Sequence, residues 1–102
     1  MKKLLAAIAI STITFSVQAN EDVTFCSSVS ELGKVIMDLR QKNVPMVTLM
    51  EYMTTQPELY ELGSAMIVEA YNQPRYSTPS NQQNAVTDFA NDMFKVCLET
   101  RR

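Results

Sequence analysis

The sequence predicts an all-α protein, a small bundle of four helices with one disulfide that joins the first helix to the last. Four stretches of the chain carry apolar residues at spacings of three and four, which is the period of one helix face. No alternation of period two is long enough for a strand, and the chain has only two glycines. Short polar stretches that contain proline separate the four patterns, which favours a bundle with short connections.

The first nineteen residues predict a cleaved signal peptide. The chain begins MKK, an apolar run follows to about Val17, and small residues up to Ala19 suit signal peptidase. The run is short and rich in Ser and Thr, which argues against the alternative of an uncleaved membrane anchor. A lipid anchor is disfavoured because bulky residues precede Cys26. We therefore expect a signal peptide at residues 1–19 and a helical domain at residues 20–102, periplasmic or secreted.

The charge balance of the predicted mature chain excludes two classes of partner. Removing Lys2 and Lys3 from nine basic residues leaves seven against eleven acidic ones, a net charge of −4. Binding to nucleic acid depends on clustered Lys and Arg, and this chain has no such cluster. It also lacks a basic amphipathic face for an anionic membrane. We therefore expect no nucleic-acid partner and no stable membrane insertion after cleavage of the signal peptide.

The two cysteines, Cys26 and Cys97, predict an intramolecular disulfide. An even number of cysteines in an exported protein is typical of disulfide pairing. A reactive thiol or a metal site is the alternative, but the chain has no CxxC motif and no histidine. Closing a loop of roughly 70 residues would stabilise the fold by about 4 kcal/mol in the chain-entropy model.

The first helix is predicted to begin at Ser28 and to end before Pro45. Ser28 and Glu31 fit a capping box, in which each side chain bonds a free amide of the first turn. Gly33 would let a neighbouring helix approach closely. The motif NVP at residues 43–45 ends the helix, because the residue before proline is disfavoured in the helical region. The apolar stripe of this helix consists of Val29, Leu32, Ile36 and Leu39.

The second and third helices are shorter. Pro45 is predicted to be the first residue of the second helix, whose apolar face is Met46, Leu49, Met50 and Met53. Thr55 and Glu58 predict another capping box at the start of the third helix, with Pro57 tolerated in the first turn. This helix is expected to run to about Asn72. Its predicted inward residues are Leu59, Leu62, Met66, Ile67 and Ala70.

The fourth helix has the strongest apolar pattern in the chain. Two caps fit its start, either Ser80 with Gln83 or Thr78 followed by Pro79. Its stripe consists of Val86, Phe89, Ala90, Met93 and Cys97, with Phe94 beside it. An antiparallel arrangement of the first and fourth helices would bring Cys97 to Cys26.

No catalytic site, metal site or cofactor is predicted, and we expect that the protein is not an enzyme. The chain has no histidine, and glycine is too scarce for a dinucleotide or phosphate loop. Asp88 and Asp92 stand one helical turn apart, but carboxylates at that spacing are usually a solvated helix face. Met46, Met50 and Met53 share a face, which raises the alternative of a Cu(I) carrier. Methionines that fill gaps in the core are the commoner interpretation.

The segment YNQPRYSTPS, residues 71–80, is the candidate contact surface. Two prolines restrict its conformations, so we expect an ordered connection. Tyr71 and Tyr76 flank Arg75, and tyrosine with arginine carries much of the binding energy at protein interfaces. The alternative is a structural connection in which Arg75 pairs internally, for example with a glutamate of the third helix. We predict Tyr71, Arg75 and Tyr76 as partner-binding residues, with the second helix as a further contact.

Cys26, the helix end MDLRQKNVPM, the block EAYNQPRYST and the closing FANDMFKVCLE form a specific pattern over nearly the whole of residues 20–102. This pattern resembles a group of small exported helical proteins of bacterial genomes and their phages or prophages, which has no settled activity. The resemblance implies an exported, non-enzymatic helical protein. It assigns no functional residue.

These observations together predict an exported periplasmic protein-binding module without catalytic activity. If the phage relationship holds, the fitting roles are blocking an envelope receptor, restraining a lysis protein or neutralising a toxin. The partner's identity and the oligomeric state are not encoded in any motif. A periplasmic stress chaperone, which would expose apolar surface on acidification, and a methionine-based copper carrier are the alternatives.

Overall fold

The computed structural model describes the backbone of residues 2–101 and the side chains of residues 20–101. Its four helices are α1 (Lys2–Gln41), α2 (Met46–Met53), α3 (Tyr60–Tyr71) and α4 (Pro79–Arg101). No strand occurs in residues 2–101, and the predicted all-α, four-helix fold is confirmed. The predicted signal peptide falls on residues whose side chains lie outside the described part, and its cleavage stays a prediction.

The predicted disulfide is confirmed. Cys26 in α1 is bonded to Cys97 in α4, their Cα atoms are 5.6 Å apart, and Cys26 is fully buried. Ser30 on α1 donates a hydrogen bond from its hydroxyl to the Ala90 carbonyl on α4, at 3.0 Å. Structural disulfides persist in oxidising compartments, so this bridge is compatible with an extracytoplasmic location. Among the helices described, none combines the length and the hydropathy that crossing a bilayer requires.

The first helix begins earlier than predicted. The chain is already helical before Ser28, and Cys26 lies inside α1. The Ser28 hydroxyl donates to the Thr24 carbonyl one turn earlier, at 3.4 Å, and the Glu31 carboxylate pairs with Lys34 at 3.5 Å. A serine in a helix interior bonds back to the preceding turn in this way. The predicted capping box of Ser28 and Glu31 is therefore wrong.

The end of α1 lies just before the NVP motif, as predicted. Asn43 has a φ of 66°, the left-handed conformation that asparagine tolerates better than most residues. The Asn43 amide donates to the Arg40 carbonyl and the Val44 amide donates to the Leu39 carbonyl, both at 3.1 Å. These two bonds form a Schellman motif, which satisfies carbonyls that a helix end leaves unpaired.

The starts of α2 and α3 differ from the predicted positions. Pro45 is the N-cap of α2, one residue before the first helical position. The Thr55 hydroxyl donates to the Tyr52 carbonyl at 2.6 Å, so it closes the end of α2 and caps no later helix. Leu59 is the N-cap of α3 and makes no side-chain cap bond. The predicted capping box of Thr55 and Glu58 is therefore wrong.

The start of α4 is set by Thr78. The Asn81 amide donates to the Thr78 hydroxyl at 3.2 Å, and Pro79 is the first residue of the helix. Of the two predicted caps, the structure selects Thr78 over Ser80. Proline suits this position because its missing amide hydrogen has no helical partner to lose.

The four helices alternate in direction. α4 runs antiparallel to α1, as the disulfide requires. α3 runs parallel to α1, because Leu59 before its start lies near Val29, and Tyr71 at its end lies against Arg40 near the end of α1. α2 returns between them, since Val44 at its beginning contacts Tyr71 and Met53 at its end contacts Gly63. α1 packs most extensively against α4, then against α3, and α3 packs against α2. α1 is therefore the central element.

The apolar core lies where α1 meets α3 and α4. A Cβ atom built on Gly33 would lie 3.0 Å from Met93 Cγ and 3.4 Å from Met66 Cε, so the close approach predicted at this glycine is confirmed. Leu59 and Leu62, predicted to point inward, are instead exposed. The buried residues are Val29, Ile36, Met37, Leu49, Met53, Met66, Ile67, Ala70, Val86 and Phe89.

Candidate functional site

Two loops meet at one end of the bundle and are joined by hydrogen bonds between side chains and backbone. Residues 40–44, at the end of α1, contact residues 71–76, at the end of α3 and in its connection to α4. We name this contact the clasp. It contains all three residues that the sequence predicts for partner binding.

Gln41 is the centre of the clasp. Its side chain is 2% exposed, although glutamine is a residue of the surface in most proteins. The Gln41 Nε2 group donates to the Pro74 carbonyl at 3.0 Å, and the Gln41 Oε1 atom accepts from the Tyr76 amide at 2.9 Å. Nε2 also lies 3.4 Å from the sulfur of Met37. The side-chain amide therefore binds the loop backbone as a neighbouring strand would.

Arg40 holds the same loop one residue earlier. Its Nη2 atom donates to the Gln73 carbonyl at 3.1 Å, and its guanidinium carbon lies 5.0 Å from the centroid of the Tyr71 ring. The stacked cation and ring attract each other electrostatically. Consecutive residues of α1 thus bind consecutive carbonyls of the loop, Gln73 and Pro74, which fixes the register between the two segments.

Tyr71 closes the clasp from the other side. Its hydroxyl donates to the Val44 carbonyl in the turn that follows α1, and its ring is partly buried. Burial raises the pKa of the Tyr71 hydroxyl above its ordinary value of 10.0, and the nearby Arg40 guanidinium lowers it in part. The hydroxyl is therefore protonated at neutral pH and donates its hydrogen bond to the Val44 carbonyl, within the fold.

Arg75 pairs internally through one of its nitrogen atoms. Its Nε atom donates to the Gln41 carbonyl at 3.0 Å, in the last turn of α1. A cation is favourable at this place because the carbonyl end of a helix carries partial negative charge. Within residues 20–101, no carboxylate lies within ion-pair distance of Arg75, so the suggested glutamate partner on the third helix is wrong.

Tyr76 contributes its backbone to the clasp and its ring to the surface. The amide donates to Gln41, the carbonyl accepts from Gln82 Nε2 at 2.7 Å, and the side chain is 38% exposed. Of the three predicted residues, Arg75 and Tyr76 therefore present side-chain atoms to solvent at one place, and Tyr71 is mostly engaged. That they bind a partner stays a prediction.

Gln41 is the residue that sequence reasoning missed. Counting from Cys26 by threes and fours along α1 leads to Ser30, Gly33 and Met37, all of which face α4, and then to Gln41. This spacing places a polar side chain on the buried face of the helix. A buried side-chain amide needs hydrogen-bond partners, and the loop backbone at Pro74 and Tyr76 provides them for Gln41.

The clasp also explains why two blocks of the sequence stand out. MDLRQKNVPM contains Arg40, Gln41 and Val44, and EAYNQPRYST contains their partners Tyr71, Pro74 and Tyr76. The hydrogen bonds between the two blocks join residues that are 27 to 35 positions apart in sequence. Each requires the other to satisfy its backbone groups.

The methionine face of α2 serves the fold. Met53 is buried, and its Cε atom would clash with a Cβ on Gly63 of α3. Met46 and Met50 are partly buried and pack against the same core. Asp88 and Asp92 on α4 are exposed, as expected for a solvated face. Within the described residues, His, Cys, Asp and Glu form no cluster of three that could hold a metal ion.

Comparison of the chain with models of known protein families, with curated proteins and with solved structures finds no match.

Proposed function

We propose that the protein is an exported, periplasmic protein-binding module without catalytic activity, and that Arg75 and Tyr76 form its contact surface. The observation that carries this proposal is the exposure of a tyrosine ring and an arginine on a loop in which the backbone amide and carbonyl of Tyr76 are both bonded. Tyr76 is exposed while its amide and carbonyl are both paired, and Arg75 uses one nitrogen on the Gln41 carbonyl.

A rigid loop favours binding because little conformational freedom is lost when the partner docks. Immobilising a flexible side chain or loop costs about 0.5–1.5 kcal/mol per residue at an interface. Here Gln41 and Gln82 hold the backbone of Tyr76 before any partner arrives. Tyrosine and arginine are also the residues that most often dominate interface energies. The partner chemistry that fits an arginine beside an aromatic ring is a carboxylate next to an apolar group.

Site-specific photo-crosslinking in the native compartment tests this surface. A benzoylphenylalanine replaces Tyr76 in one strain and Val35, an exposed residue of α1 outside the predicted contacts, in a matched strain. We expect a discrete crosslinked protein from position 76 and none from position 35. Equal labelling from both positions, or no adduct from position 76, would contradict the assignment.

A double substitution separates binding from folding. Arg75→Ala with Tyr76→Ala removes the exposed side chains but keeps the amide of residue 76 that binds Gln41. We expect loss of partner capture, together with a decrease in the free energy of unfolding of about 1 kcal/mol from the lost Arg75 bond. Unfolding of the variant would show that both residues are structural. If the unsubstituted protein captured a partner only at acidic pH, and bound a dye for apolar surfaces there, it would instead be a chaperone.

A further inference from the structure

A groove lies between α3 and α4, and it ends at Gln73 of the clasp. Both helices pack on α1, but they do not pack closely on each other, and the space between them is about 570 Å³. Its floor consists of Met66, Phe89 and Met93, two of which reach Gly33 of α1. Its walls carry Leu62, which is 38% exposed, and Val96, which is 56% exposed.

A second depression continues the groove towards the start of α1. It is about 520 Å³ in volume and is lined by Phe25, Leu32 and Leu59 together with Leu62, which also lines the first depression. Phe25 and Leu59 are 48% and 43% exposed. The apolar surface is thus continuous along α3. Contiguous exposed apolar surface of this kind marks interaction sites in soluble proteins.

The rim of this joined groove is acidic. The exposed carboxylates around it are Glu58, Glu61, Glu69, Asp92 and Glu99, and Lys95 is the basic residue that also lines it. Within residues 20–101, the ion pairs involve Glu31, Asp38 and Asp22, so none of the five rim carboxylates has a cationic partner there. The groove therefore combines an apolar floor with uncompensated negative charge.

We propose that the groove binds a basic amphipathic helix of the protein partner. An apolar helix face laid in such a groove buries Leu62 and Val96, and Lys or Arg on its flanks meets the carboxylates of the rim. From Phe89 to Glu99 the groove follows α4 for about 15 Å, which matches about three turns of a bound helix. A second copy of this chain suits the site less, because both copies would carry net negative charge.

This inference rests on the proposed function, because it takes the occupant of the groove to be part of a protein partner. It adds that the bound segment is basic and amphipathic. Neither Arg75 nor Tyr76 lines the groove. The two assignments can therefore fail separately: a crosslink from position 76 without groove binding would leave the proposed function intact, and the reverse would leave the groove intact.

Titration with defined peptides tests the charge and the amphipathic pattern. Three fluorescent peptides of about 18 residues, long enough to form a helix, are compared by anisotropy. One is a Leu/Lys amphipathic helix, one has Glu in place of every Lys, and one contains the residues of the first in scrambled order. We expect the first to bind at least tenfold more tightly than either other peptide, with affinity falling as salt rises. Equal binding of all three, or no binding of the first, would overturn the proposal.

Substitutions with matched controls locate the binding. Val96→Gln is compared with Val35→Gln, because Val35 on α1 is 55% exposed and lines neither depression. We expect Val96→Gln to weaken the Leu/Lys peptide about tenfold and Val35→Gln to have no effect, while circular dichroism shows both variants folded. Equal effects of the two substitutions would place the peptide elsewhere and contradict the proposal.

The charge contribution has its own pair of variants. Asp92→Asn with Glu99→Gln removes two rim carboxylates, and Glu31→Gln with Glu51→Gln removes the same charge away from the groove. We expect the rim variant to lose at least fivefold more affinity than its control. Similar losses would indicate general attraction to an acidic protein. Sedimentation of the protein alone completes the test, because a dimer that Val96→Gln dissociates would make a second copy the occupant and overturn the proposal.

Discussion

The clasp and the α3–α4 groove lie on the same small bundle, and they satisfy their side chains in opposite ways. In the clasp, Gln41 is buried and each of its polar atoms is bonded within the chain. Along the groove, Leu62 and Val96 are apolar and remain in contact with water. Polar groups are thus buried in the clasp. Apolar groups remain exposed along the groove, where α3 and α4 do not pack closely on each other.

The difference shows which region has its side chains satisfied by contacts within the chain. The loop segments that form the clasp have no unsatisfied buried side-chain atom, as is true of residues 20–101 in general. Met66 of α3 and Met93 of α4 both lie over Gly33 of α1, so each helix packs on α1 more than on the other. The clasp therefore stabilises the fold, and the groove offers surface to a partner.

The largest expected effect comes from removing the disulfide, which holds α1 on α4 independently of both regions. Cys26→Ala with Cys97→Ala opens a loop with a sequence separation of 71. We expect a decrease in the free energy of unfolding of about 4 kcal/mol, because the unfolded chain regains loop entropy. Urea denaturation monitored by circular dichroism measures it. A decrease below about 1 kcal/mol would show that packing alone holds the two helices.

Breaking the centre of the clasp is expected to have the next largest effect. Gln41→Leu keeps the volume but leaves the Pro74 carbonyl and the Tyr76 amide without their partner. We expect a loss of about 2 kcal/mol, which lowers the Tm by about 10 °C in a domain of this size. Gln83→Leu, at an exposed position of α4, is the control and should change stability by less than about 0.5 kcal/mol. Equal effects would contradict the role of Gln41.

A smaller and pH-dependent effect is expected at Tyr71. Because folding raises the pKa of this hydroxyl, its contribution to stability is complete below pH 10 and is lost as the pH rises through the raised, folded-state pKa. Tyr71→Phe should cost about 1 kcal/mol at pH 7 through the lost bond to Val44. It should also make the decline in stability above pH 10 shallower than in Tyr60→Phe. Chemical denaturation of both variants at several pH values measures these declines. Equal declines in the two variants would contradict this assignment.

The smallest effect on stability is expected in the groove. Val96→Gln replaces an apolar side chain that is 56% exposed. We expect the free energy of unfolding to change by less than about 0.5 kcal/mol, since surface substitutions usually stay within that range. The contrast with Gln41→Leu is the direct comparison of the two regions. A loss as large as that of Gln41→Leu would show that the groove wall belongs to the core.

The sequence predicted some elements from signals that act over a few residues. The NVP motif marked the end of α1, and Thr78 followed by Pro79 was one of two predicted starts of α4. Similar local signals at Ser28 and Thr55 were misleading, because each hydroxyl bonds a carbonyl of the preceding turn instead of capping a new helix. A capping motif cannot by itself show whether the preceding residues are already helical.

The sequence predicted where the candidate site lies in the chain, but not the contacts that hold its residues. Arg75 and Tyr76 were identified from composition, and both lie at the surface of the predicted loop. The internal partner of Arg75 was expected on the third helix and is the Gln41 carbonyl on the first. Local sequence offers several acceptors for an arginine, and the choice depends on which helix end the fold brings near.

The amino-acid sequence by itself determined the four helices, the class of fold and the pairing of Cys26 with Cys97, because these follow from periodicity and from a count of two. Only the tertiary structure decided that Gln41 is buried, that the two loops bind each other, and that Met66 of α3 and Met93 of α4 meet over Gly33 of α1. The physical reason is separation along the chain. Hydrogen bonds and gaps between residues about 30 positions apart depend on how whole helices pack, and no local pattern encodes that packing.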